Sequence, residues 1–200
     1  MLFIDFLALM LVSLVMGLVL LAVYIVFFLD GDGKRIAPGF LVPGIILPVA
    51  GFRMIFTWPL PGSYNIAYGE LAVLVGVLFF VAGLALTFDW DLLSIGIVAV
   101  LASIVAVIVG LRIISLKMTT APGLESIGFI FTGLGGIMTL PSYFARKPLT
   151  IRIITAILLL IGAAVFAFTG YLEYWTHLSG FSKWLPDTMR AAAAAAGAAK

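Results

Sequence analysis

Residues 6–29 read FLALMLVSLVMGLVLLAVYIVFFL, without one charged side chain, and this stretch decides the fold. As a helix rising 1.5 Å per residue it is about 36 Å long, enough to cross a hydrocarbon core of about 30 Å. It shows no polar stripe to turn toward water, as a surface helix of a soluble domain has. Asp5 stands where a signal peptide carries basic residues, and no small-residue cleavage pattern follows. The run is therefore expected to remain in the protein as its first membrane helix.

Working outward, five more apolar runs follow, and the predicted spans are roughly 3–29, 36–58, 66–88, 92–116, 125–145 and 151–175. The expected fold class is all-α, a polytopic transmembrane helical bundle of about six spans. Short polar separators stand between the runs: Asp30-Gly31-Asp32-Gly33-Lys34-Arg35, Pro59-Leu60-Pro61-Gly62-Ser63, Asp89-Trp90-Asp91, Lys117 to Gly123 and Arg146-Lys147-Pro148. Connections this short make sequential helices antiparallel neighbours. Trp58, Trp90, Trp175 and Trp184 fall at or just beyond predicted span ends, where an amphipathic indole meets the headgroups. Pro38, Pro43 and Pro48 complicate the second span, since an interior proline removes a backbone hydrogen bond. That segment is either a kinked full span or a broken, re-entrant one. Residues 1–175 are expected to form the transmembrane domain, and 176–200 an interfacial segment with an Ala-rich tail from Ala191.

Composition excludes several classes of function. Apolar residues make up 64% of the chain and charged ones 10%, far from the roughly 45–50% and 25% of soluble domains. The net charge of +2 is spread thinly, with no basic stripe, so the expected partner is the lipid bilayer and not nucleic acid. The chain has no cysteine and one histidine, His177, which excludes disulfides, thiolate metal sites, iron–sulfur clusters and bis-histidine haem within it. His177 is read as part of the aromatic belt beside Tyr174 and Trp175. Asp30-Gly31-Asp32-Gly33 lacks the remaining ligands of a calcium loop and is read as a polar turn. No phosphate loop, dinucleotide fingerprint or nucleophile elbow is present, so neither a cofactor nor catalysis is expected.

The ionisable residues avoid mid-membrane. Six spans bring Asp5, Arg53, Glu70, Arg112, Lys117, Glu125, Glu173 and His177 toward one face. Asp5, Glu70 and Glu125 sit near helix N-termini and Arg53, Arg112 and Lys117 near C-termini, as the helix dipole favours. Arg53 with Glu70, and Arg112 with Glu125, flank two turns that each contain Pro-Gly, which suggests a degenerate duplicated hairpin and a candidate polar site. Gly69, Gly76 and Gly83 repeat every seven residues, and Gly128, Gly135 and Gly136 thin the fifth helix. These glycines are candidates for close helix packing.

The stretch Trp58-Pro59-Leu60-Pro61-Gly62-Ser63-Tyr64-Asn65-Ile66-Ala67-Tyr68-Gly69-Glu70 resembles the hallmark segment of a prokaryotic membrane-protein family, domain of unknown function 981. The resemblance extends the family's hydrophobic plan to about Trp175 and implies a multi-pass protein of a prokaryotic cell membrane. It brings no activity, but implies that Tyr64, Asn65 and Glu70 join Arg53, Arg112 and Glu125 as candidate polar-site residues. The expected function is that of a non-catalytic accessory or scaffolding subunit, packing with other membrane subunits or as a homo-oligomer. The alternative is a transporter or channel for a small solute, an ion or protons.

Overall fold

The computed structural model describes residues 5–145, 149–182, 184–185 and 189–190. The alanine run from Ala191 and the Arg146-Lys147-Pro148 separator lie outside them. Among the described residues, six helices are long and apolar enough to cross a membrane: α1 Phe6–Phe28, α2 Ala37–Thr57, α3 Asn65–Thr87, α4 Leu93–Leu116, α5 Pro122–Phe144 and α6 Leu149–Gly180. Among the described residues there is no strand. The chain is a polytopic helical bundle, as its apolar runs predict.

The proline-rich second segment is one continuous helix of 21 residues, not a broken one. Pro38 falls in its first turn, where the missing N–H would have had no partner. Pro43 and Pro48 lie in the interior, where the remaining intrahelical hydrogen bonds and the neighbouring helix carry the segment through. The helix stops at Trp58, whose φ of 45° and ψ of 55° are left-handed and cannot continue it. α1 ends and α3 begins in wider π-turns, Tyr24–Phe28 and Asn65–Glu70. α5 pauses at Met138 before a last short stretch, Thr139–Phe144. α6 runs five residues past the end at 175 that Trp175 predicts.

Each helix packs on the next, and α6 returns to α1, so the six close into a ring in chain order. The α2–α3 seam is tight because glycines replace side chains there. A methyl group on Gly44 would lie 2.6 Å from the Phe80 Cα, and one on Gly76 2.7 Å from the Leu47 Cβ. Lipid offers no hydrophobic drive between helices, so this backbone approach supplies the van der Waals contact that holds them. Outside the seams, large apolar side chains such as Val49, Phe56, Leu101 and Phe168 point away from the bundle.

Candidate functional site

Asn65 is fully buried and closes the turn between α2 and α3. Its Oδ1 accepts from the Leu60 N–H at 3.1 Å, while its Nδ2 donates to the Leu60 and Gly62 carbonyls at 2.5 and 3.4 Å. Tyr64 reaches across to the next turn and donates to the Met118 carbonyl. Both candidate residues therefore spend their hydrogen-bonding groups on backbone at the membrane interface. The Tyr64 ring stacks on Tyr68, with centroids 6.2 Å apart, and Tyr68 begins an edge-to-face series through Phe129 to Phe166.

Glu125, in the first turn of α5, is only 5% exposed. The Tyr68 hydroxyl lies 3.4 Å from its Oε2, and Thr169 of α6, whose hydroxyl donates to the Val165 carbonyl, stands beside the carboxyl. Glu173, one turn beyond Thr169, is within electrostatic range of Glu125, Asp5 and His177, and its Oε2 is buried with no hydrogen-bond partner among the described residues. His177 Nδ1 meets the Asp5 carboxylate at 2.7 Å. His177 thus ties the end of α6 to the start of α1, a role its reading as aromatic belt did not anticipate. This face of the bundle gathers Asp5, Tyr68, Glu125, Thr169, Glu173 and His177.

The remaining candidates are not part of that group. Arg53, Glu70 and Arg112 are exposed, and among the described residues no ion pair joins Arg53 to Glu70 or Arg112 to Glu125. Gly69, Gly76 and Gly83 all face α2, through Met54, Leu47 and Leu41. Gly128 and Gly135 face Phe166 and Leu159 of α6, whereas Gly136 faces Ser103 of α4. All six of these glycines face neighbouring helices of the same chain.

Sequence reasoning missed the opposite face. Arg152, in the first turn of α6 and 5% exposed, grips Asp30 with two hydrogen bonds of 2.5 and 2.9 Å. Such a two-pronged guanidinium–carboxylate contact fixes geometry as well as charge. Beside it Tyr143 donates to Asp91 Oδ2 at 2.9 Å, and the Ser142 and Thr155 hydroxyls join α5 to α6 at 2.8 Å. Farther out, Lys34 and Asp89 pair at 2.5 Å, and that hydrogen bond pushes the lysine above its ordinary range. Span parity was the available signal: the end of span one and the start of span six share a face, and both carry a charge.

Between the two faces the helices line a partly open chamber of about 130 Å³. Its wall is almost wholly apolar and draws on all six helices, including Leu18, Phe40, Phe79, Ala99, Thr132 and Leu159. The nearby hydroxyls do not make it polar, because Ser103 Oγ points at Gly136 and Thr132 Oγ1 at Gly162. A smaller pocket of about 40 Å³ next to it, sharing Val75 and Thr132, extends the space toward Tyr68. In the other direction Tyr24, Leu29 and Tyr143 border both the chamber and a wider mouth of about 670 Å³, where Asp30 and Gly31 are also found. Among the described residues no three of His, Asp and Glu converge to hold a metal ion.

Residues 1–180 match the family described as protein of unknown function (DUF981), and the chain belongs to that family. The resemblance carried by Trp58 to Glu70 is thereby borne out. No curated protein and no solved structure matches the chain.

Proposed function

We propose that this protein is a non-catalytic accessory component of the membrane that works by holding a lipophilic molecule inside its helix ring. The observation that carries the reading is the apolar chamber lined by all six helices, about 130 Å³ in volume. A cavity of roughly 150 Å³ lined by aliphatic and aromatic side chains excludes water yet accepts benzene. The same physics disfavours a hydrated ion here, since the wall has almost no polar group to replace its water.

A second reading, movement of protons or a small solute, rests on a different observation. Glu125 is nearly fully buried, and among the described residues it has the Tyr68 hydroxyl as a partner but no cationic one. An intramembrane carboxyl is costly enough to point to function by default.

Extraction of the purified protein with organic solvent, followed by mass spectrometry, tests the first reading. A lipophilic molecule should co-purify with the parent and be lost from Ala99→Leu, which fills the chamber, while the melting temperature holds or rises. No co-purifying molecule, together with proton flux in reconstituted vesicles that Glu125→Gln abolishes, would transfer the case to the second reading.

A further inference from the structure

Resting on the binding reading above, we propose that the chamber is filled from the side, by a hydrocarbon chain of a bilayer lipid that enters between α3 and α4 from the leaflet on the Asp30 face. The headgroup stays among its neighbours, and only the end of one chain is taken in.

The entry follows from where the ring is thin. Of the six seams, α3–α4 is the least closely packed. Glycines let helix backbones approach in lipid, and none on either helix serves this seam. Gly69, Gly76 and Gly83 of α3 face α2, while Gly96 and Gly110 of α4 face Leu140 and Ile130 of α5. The two helices are held together at their ends, by the short turn over residues 88–92 at one and by the Tyr64 hydrogen bond to the Met118 carbonyl at the other. α4 is also the least buried of the six. Its buried residues begin at Ala102, and none of residues 93–101 is buried. Ala82 of α3 and Ala99 of α4 line the chamber beside this stretch, and one methyl group apiece does little to close the wall.

Depth decides what meets the gap. The stacked rings of Phe88 and Trp90, 5.7 Å apart and exposed, mark the interface at the α3–α4 turn. From Leu93 to Ala99 the helix rises about 9 Å, which places the gap inside one leaflet of a hydrocarbon core about 30 Å thick. Ile97, Val98 and Leu101 are exposed apolar side chains of the same stretch, so the neighbouring phase is lipid chains and not water. A chain that moves from that phase into the chamber sheds no hydration and leaves no polar group unpaired. It also gives the apolar lining the dispersion partners that an empty space withholds. The chamber's volume of about 130 Å³ suits one chain end.

The test uses the full chain reconstituted in vesicles of phosphatidylcholine bearing a diazirine on one acyl chain, either at mid-chain or at the terminal carbon. Crosslinked residues are mapped by mass spectrometry. The terminal probe should label Leu18, Phe40 and Leu159, which line the chamber and are only 1–2% exposed, out of reach of a carbene in the surrounding bilayer. The mid-chain probe should label α3 and α4 around Ala82 and Ala99, the gap it threads. Ala99→Leu should abolish the Phe40 and Leu159 adducts and leave those on outward Val49 and Leu101 in place. Mid-chain adducts at Tyr24, Leu29 and Gly31 instead would move entry to the mouth and overturn the lateral route. Terminal adducts confined to outward residues would overturn the lipid chain as occupant. A small free probe, adamantyl diazirine, run in parallel then separates the two failures. If it labels Phe40 and Leu159, only the lipid-chain proposal falls; if it does not, the binding reading falls with it.

Discussion

Charged residues near the ends of membrane helices need no partner when water and headgroups are in reach, and snorkelling explains most of them. Arg53, Glu70 and Arg112 are of this kind: they are exposed, and among the described residues no ion pair engages them. Arg152 differs because its guanidinium is buried and committed to Asp30 through two hydrogen bonds. Removing Asp30 alone leaves the buried guanidinium without its carboxylate partner, so Asp30→Ala should cost about 1.5–3 kcal/mol. The Asp30→Ala/Arg152→Leu double variant should cost less than the sum of its parts, with a coupling of about 1–3 kcal/mol. Arg53→Ala and Glu70→Ala should instead add to within about 0.5 kcal/mol. Thermal denaturation of all six variants in one detergent measures both cycles, and equal coupling in the two would sink the distinction. Glu125 was legible as a residue of interest from its place beside a turn, and Asn65 and Tyr64 through the family resemblance. The partners of Tyr64 and Glu125 were not, because Met118 lies in the next turn and Tyr68 on another span, and no local spacing encodes such a meeting.

At the scale of the element, apolar run length settled which segments cross, since a chain so poor in polar surface has only lipid in which to place about 20 uncharged residues in a row. Proline counting was the weaker guide. α2 carries Pro43 and Pro48 through its interior and stays whole, because a helix packed along its length on α3 loses only local hydrogen bonds. The glycine period in α3 indicated a seam, but only the structure identifies α2 as the helix on its far side. Gly44 provides the sharper test, since its added methyl would meet the Phe80 backbone, which cannot rotate away as a side chain does. Gly44→Ala should therefore lose about 1–3 kcal/mol by overpacking. Gly31→Ala, with nothing within 4 Å of the added atom, should leave the melting temperature unchanged. If Gly44→Ala melts with the parent, the α2–α3 seam is looser than its geometry.

For the whole molecule, six crossings and a closed ring are one statement made in two ways. An even number of spans returns the chain to its starting face, and only then do the start of α1 and the end of α6 lie side by side. The 2.7 Å contact between Asp5 and His177 is that closure at atomic scale. The Asp30–Arg152 grip closes the same pair of helices at the opposite face. Five spans would carry His177 across the membrane from Asp5 and break the first contact, so sidedness tests the fold and its polar ties together. The chain has no cysteine of its own, and each single cysteine introduced is therefore the only site a thiol reagent finds. Ser63→Cys in the α2–α3 turn and Ser182→Cys just beyond α6 should react with a membrane-impermeant maleimide from one side of sealed vesicles. Gly31→Cys, exposed after α1, should react only from the other side. Labelling of Ser182→Cys from the Gly31→Cys side would remove a span, open the ring between α1 and α6, and leave the chamber without one of its walls.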